Sequence, residues 1–153
     1  MKNGLMFREA EENDVGEIVK MLANDRLGKT RENYTHPLPK QYIKAFEAIQ
    51  SDTNNELIVA VLEGHIIGVL QITFTPYITH QGGWRATIEG VRTDESVRGK
   101  GIGSKMITWA IERAKTRNCH LVQLTTDKTR TDALRFYEKL GFQATHEGLK
   151  LKL

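Results

Sequence analysis

The 153-residue chain has one cysteine, Cys119, and three prolines. A single cysteine cannot close an internal disulfide or build a cysteine metal cluster, and it suits a reducing compartment, so a cytoplasmic protein is expected. No apolar run approaches the roughly 20 residues of a membrane span, so no membrane partner is expected. The opening, MKNGLMFREAEEND, turns acidic too soon for a secretory leader. Five histidines lie scattered at no familiar ligand spacing, and no metal is expected. Repeats, low-complexity tracts and linkers are also missing, which points to one domain over 1–153. With 39% apolar and 27% charged residues, the composition is that of an ordinary globular chain with a real core.

Acid is scarce in one place. Arg98, Lys100, Lys105, Arg113, Lys115 and Arg117 stand against Glu112 alone, although the net charge is only +3. Such a stripe attracts nucleic acid or a polyphosphate ligand. The distal Arg113, Lys115 and Arg117 read as a solvated helix face. Arg98 and Lys100 lie inside VRGKGIGSK, where three glycines open a helix at about 1 kcal/mol each relative to alanine. That density calls for positive φ or close backbone approach. Helix N-termini offer unpaired N–H groups and partial positive charge, so the stretch reads as a phosphate cradle.

The surrounding periodicity gives the elements. Leu5 to Ala10 reads as a strand. Asp14 and Glu17 resemble a capping box, followed by Val15, Ile18, Val19 and Leu22 at helical spacing. TRENYTHPLP reads as a loop and residues 40–50 as a second helix. Two β-rich runs join at Glu63-Gly64 as a hairpin. WRATIEGVRT is a further strand, in which Gly90 marks a bulge or a close approach. Ile102 to Ala114 traces an amphipathic helix, CHLVQLTT a buried strand, and TDALRFYEKL a helix ending at Gly141. FQATHEGLKLKL closes the chain as a strand or short hairpin. The order β-α-α-β-β-β-α-β-α-β implies an α/β mixed sheet with helices on both sides.

Two nucleotide loops fail against RGKGIGSK. The triphosphatase loop needs glycine where Ser104 stands, and the dinucleotide fingerprint needs glycine at Ser104 or Met106. What remains, Arg-x-x-Gly-x-Gly at Arg98, Gly101 and Gly103, resembles the coenzyme A pyrophosphate loop of the GCN5-related N-acetyltransferase superfamily. TIEGVRTDESVRGKGIGSKMITWAIERA is similar to that family's central strand-loop-helix segment, DALRFYEKLGF to its later helix, and MFREAEENDVGEIVKML to its opening.

The resemblance implies the family's acyl-CoA N-acyltransferase fold and an acetyl-CoA-dependent N-acetyltransferase acting on an amine acceptor. It implies that backbone from Arg98 through Gly99, Lys100, Gly101, Ile102 and Gly103 to Ser104 holds the pyrophosphate. Val91, Arg92 and Thr93 would pair with the pantetheine arm as an added strand does. An N–H near Val91 would stabilise the oxyanion, and Tyr137 would stabilise or protonate the departing thiolate. Many members carry asparagine where Arg130 stands, so Arg130 either contacts pantetheine differently or reaches a phosphate. Members also frequently dimerise through late strands, a role open to LKLKL.

An amine of pKa about 10.4 must lose its proton before attack, at about 4–5 kcal/mol near pH 7. A base is therefore useful, and Glu89 is the candidate, two residues before Val91. Alternation puts Glu89 and Val91 on one face and Arg92 on the other, unless a bulge breaks the parity. The plain alternatives are an ordinary polar strand residue for Glu89 and a core tyrosine for Tyr137. The loops between which the resemblance implies the acceptor sits carry Arg31, Tyr34, His36, Tyr77, His80, Trp84 and Arg85, an aromatic and mostly cationic set. That set favours a small acceptor bearing a carboxylate or an aromatic group. A nucleic-acid-binding or coenzyme-sensing regulator without catalysis is the competing reading.

Overall fold

The computed structural model describes residues 4–153. Its order is β1 (Met6–Glu9), α1 (Val15–Ala23), the single turn α2 (Gly28–Arg31), α3 (Lys40–Ser51), β2 (Asn55–Leu62) and β3 (His65–Pro76). A single turn α4 (Thr79–Gly82) leads to β4 (Trp84–Thr93), α5 (Ile102–Thr116), β5 (Cys119–Leu124) and α6 (Thr131–Lys139). The five strands form one mixed sheet in chain order, antiparallel from β1 to β4, with β5 parallel to β4. Glu63 and Gly64, both at positive φ, make the tight β2–β3 turn whose twist matches the strands it joins. Between the parallel strands β4 and β5, α5 is the crossover.

Two apolar layers follow from the two helical faces. On one side α1 and α3 pack Val15, Ile18, Val19 and Phe46 against Val59, Val61 and Val69. On the other, α5 packs Met106, Ile107 and Ala110 against Leu70, Ile72, Phe74 and Ile88, with Phe136 and Tyr137 of α6 and Leu140 just beyond it at the margin. Each large side chain withdrawn in this way contributes about 1.5–3 kcal/mol. The α/β mixed sheet covered on both faces is thus the expected architecture.

Several local expectations change. Asp14 points backward: its Oδ2 accepts from the Glu11 amide at 2.7 Å and pairs with Arg8 at 2.6 Å, capping the turn before α1. The expected loop from Thr30 begins inside α2. The CHLVQL strand is not buried; β5 is the sheet's last strand, paired only with β4, and leaves His120 and Leu121 exposed. The closing segment forms no strand: residues 143–153 join no ladder, and Leu149, Leu151 and Leu153 are exposed. Of the distal cations on and just after α5, Lys115 is solvated beside exposed Glu112, but Arg113 and Arg117 are not. Arg113 binds Glu56 through two bonds of 2.9 and 2.6 Å, and Glu56 is only 7% exposed. The Arg117 guanidinium lies 4.2 Å over the Phe74 ring and donates to Asn54 Oδ1. These two side chains clamp α5 to the β2–β3 end of the sheet.

Candidate active site

The site begins with an interruption of β4. Its pairing with β3 runs from Gln71↔Glu89 to Val69↔Arg92, so Gly90 and Val91 together oppose Leu70. Gly90 sits at φ 62, a value few side chains tolerate, and makes the bulge. Pairing with β5 stops at Ile88↔Leu124. From Glu89 to Thr93 the β5-side edge of β4 therefore carries no ladder. The extra residue also reverses the side-chain parity expected from simple alternation. Val91 packs with the α5 layer, while Arg92 turns to the α1 face, the side that Glu89 occupies. There the Arg92 guanidinium lies 3.4 Å from Asp25 and donates to the Val91 carbonyl at 2.6 Å.

Beyond Thr93 the chain makes the glycine turn. Asp94 accepts from the Ser96 amide and hydroxyl and starts a short 3-10 turn, Glu95–Val97. Gly99 and Gly101 follow at φ 78 and 79, and a Cβ on either would meet nothing within 4 Å. The Arg98 and Lys100 amides are used inside the turn, donating to Glu95 and Val97. Helical bonding starts with the Lys105 amide on the Gly101 carbonyl. The amides of Gly99, Gly101, Ile102, Gly103 and Ser104 have no backbone partner among the described residues. An open, left-handed turn with unpaired N–H groups at the start of a 15-residue helix is a fitting cradle for an anion. Gly103 has a different job: a Cβ there would lie 3.3 Å from the Phe136 ring, so its bareness lets α5 close on α6.

A cleft of about 650 Å³ opens beside the turn, lined by Asn24, Asp25, Lys29, Arg98, Arg130 and Asp132 among others. Asp25 is its hub. Arg130 reaches both its oxygens, at 3.1 and 2.6 Å, Arg92 approaches from β4, and the Gly28 amide donates at 3.2 Å. Hydrogen bonding from Arg130 holds the Asp25 carboxyl well below the usual carboxylate range. The same pair raises Arg130, whereas burial pushes Arg92 down. A second tie crosses the cleft where Arg26 donates to the Thr129 carbonyl and hydroxyl. The sequence reading did not single out Asp25. Its main partner lies 105 positions away, and no local pattern announces it.

Tyr137, on α6, stands edge-on to Phe136 and Phe142 with ring centroids 5.1 and 5.8 Å away. Burial pushes its phenol up, and the charges of Arg92 and Arg130 pull the other way. The hydroxyl thus stays protonated near neutral pH and is a hydrogen-bond donor. Glu89 is exposed and lies outside the cleft, in a recess of about 100 Å³ shared with Gln71, Thr73 and Thr87. Burial raises the Cys119 thiol, which disfavours the nucleophilic thiolate. Among the described residues no group of three His, Cys, Asp or Glu could hold a metal, and no helix is long and apolar enough to cross a membrane.

Residues 20–142 match the acetyltransferase (GNAT) family. An aminoalkylphosphonate N-acetyltransferase from Salmonella typhimurium is 30% identical over 101 residues, 66% of this chain and 65% of that protein. A glucosamine 6-phosphate N-acetyltransferase from Trypanosoma brucei brucei is 34% identical over 90 residues, 59% of each. The chain thus spans less than two thirds of the length of these two curated relatives. Among solved structures, one described as a transcriptional regulator from Bacillus halodurans C-125 is 61% identical, with a TM-score of 0.96. That likeness covers 98% of this chain and 100% of the other. With a match extending from α1 through the bulged strand, the glycine turn and α6, the chain belongs to the acetyltransferase (GNAT) family.

Proposed function

We propose that this chain moves an acetyl group from acetyl-CoA to the primary amine of a small molecule, by direct transfer in a ternary complex. The observation that carries the reading is one juxtaposition: the unladdered edge of β4 from Glu89 to Thr93 runs straight into the open glycine turn. An extended amide-bearing arm ending in a pyrophosphate fits both at once. In this reading Val91, Arg92 and Thr93 offer backbone groups to the arm. The amides of Gly99, Gly101, Ile102, Gly103 and Ser104 receive phosphate oxygens, and Arg98 and Lys100 add charge. Arg130 acts on the coenzyme side through its bond to Asp25.

The amine nitrogen attacks the thioester carbonyl, its proton passes to Glu89 directly or through water, and the C–S bond breaks. A backbone N–H near the bulge at Val91 steadies the oxyanion between these events. Proton transfer from a phenol of pKa about 10 to a thiolate of about 8.5 is uphill by about 2 kcal/mol, so Tyr137 contributes chiefly a hydrogen bond to sulfur. The two curated relatives are named for amines that also carry a phosphonate or a phosphate. An acceptor of that kind suits the cationic surroundings.

A coenzyme-sensing regulator is the second reading, favoured by the description of the Bacillus halodurans neighbour. Direct nucleic-acid binding is less supported, because Arg113 and Arg117 are tied into the sheet. Calorimetric titration with acetyl-CoA tests the first point, alongside Gly101→Val checked for folding. Saturable micromolar binding that the variant loses is expected, and no binding by folded wild type refutes the reading. Binding with no amine-dependent thiol release over a broad acceptor panel selects the regulator.

A further inference from the structure

Alternation places Arg85, Thr87 and Glu89 of β4 on one face of the sheet. β3 sets Gln71 opposite Glu89 and Thr73 opposite Thr87, and Gln123 of β5 donates to the Thr87 hydroxyl at 3.1 Å. A polar trough therefore runs from Glu89, at the splayed end of the strand, back toward Arg85. At about 3.3 Å per residue the two are about 13 Å apart along β4.

Arg85 is held, yet unanswered. Its guanidinium carbon lies 4.5 Å from the centroid of the Tyr77 ring, and its Nη2 is 3.1 Å from His80 Nδ1. No carboxylate pairs with it among the described residues, whereas Arg8, Arg92, Arg113 and Arg130 each have one. Its Nε, like that of Arg92, is buried and has no hydrogen-bond partner. A buried donor without an acceptor is uncommon in folded proteins and calls for an explanation. Here the guanidinium is fixed by an aromatic face and a histidine while keeping its charge unneutralised, which is the arrangement that receives an oxyanion.

We infer that Arg85 forms the anion-binding end of the acceptor site, so that the acceptor is an amine carrying an oxyanion, with its nitrogen beside Glu89 and its phosphate, phosphonate or carboxylate at Arg85. The inference rests on the acetyltransferase reading above and names the substrate class of that same site. Tyr77 and His80 position the guanidinium, and Gln71, Thr73 and Thr87 line the path between the two ends.

Thiol release from acetyl-CoA with matched acceptors long enough to span that distance tests this: octylamine against 8-aminooctyl phosphate, 8-aminooctylphosphonate and 8-aminooctanoate. Wild type, Arg85→Met and Arg85→Lys are compared, with acetyl-CoA affinity measured separately by calorimetry. The expected result is a kcat/KM at least tenfold higher for anionic acceptors than for their neutral partner. Arg85→Met should erase that preference through KM, leaving kcat and acetyl-CoA affinity within about twofold, and Arg85→Lys should restore part of it. The ranking of phosphate, phosphonate and carboxylate identifies which oxyanion the site takes. Equal or better use of the neutral amine, or a preference that survives Arg85→Met, overturns the inference while acetyl transfer stands. So does failure of the coenzyme-loaded protein to bind or acetylate any anionic amine. Loss of acetyl-CoA binding by wild type overturns the transfer reading and this inference together.

Discussion

Replacing Asp25 by asparagine keeps its shape and removes the one carboxylate that answers both Arg92 and Arg130. The side chains of Asp25, Arg92 and Arg130 are 11%, 17% and 25% exposed. Breaking a fully enclosed ion pair costs about 3–5 kcal/mol, while exposed pairs contribute about 0–1 kcal/mol. The partial exposure here sets the expected loss between these limits, at about 2 kcal/mol. At about 2–4 °C per kcal/mol for a chain of this size, Tm should fall by about 4–8 °C. Urea or thermal unfolding at pH 7 reads this directly. A cycle with Arg130→Met should return a coupling of about 1–2 kcal/mol. Acid supplies a second check with a fixed sign. Because the folded-state carboxyl titrates below its unfolded value of about 3.9, its stabilisation is complete above that pH. It is lost as pH falls through the lower, folded value, so wild type and variant should converge on acidification below about pH 4. A Tm change under about 1 °C, or a gap that persists in acid, would refute the hub.

Three further outcomes are expected. Tyr137→Phe should lower kcat by tenfold or more while acetyl-CoA affinity stays within about twofold; unchanged turnover removes Tyr137 from the mechanism. Glu89→Gln should lower kcat at pH 7 by about 10²–10⁴, the usual range for a general base, in the same thiol-release assay. Gly28→Ala should destabilise by at least about 2 kcal/mol, because the added Cβ would overlap the Leu22 carbonyl oxygen, which is backbone and cannot swing aside. Chemical denaturation of that variant checks the close contact between α2 and the end of α1.

Much of the fold was legible because its signals are local. WRATIEGVRT is β4 from end to end, and Gly90 announced the bulge. The faces of Val91 and Arg92 were not legible, since they depend on which residue of β3 the bulge skips, here Leu70. The apolar CHLVQL run reads as buried from composition, but burial depends on whether another strand lies beyond it, and none does among the described residues. Alternating leucines in LKLKL carry strand periodicity, yet a strand also needs a partner edge, which this chain does not give them. At the site, the glycine turn was visible from spacing alone. Asp25 was invisible because its partners come from β4 and from the start of α6. Gly103 reads as part of the cradle, and only the approach of Phe136 shows that its missing side chain also serves packing.

The bulge at Gly90 and Val91 acts on β4 as a frameshift acts on a reading frame. Were the same residues to pair one to one with β3, with none doubled opposite Leu70, the two faces downstream would be exchanged. Arg92 would then enter the apolar layer beside Ile88 and Met106, and Val91 would face Asp25 in the cleft. The place of the doubled residue is therefore as constrained as the side chains around it. Anyone recasting the acceptor range can vary Arg85, Thr87 and Glu89 upstream of the bulge one side chain at a time. Downstream of it, the bulge itself must be kept.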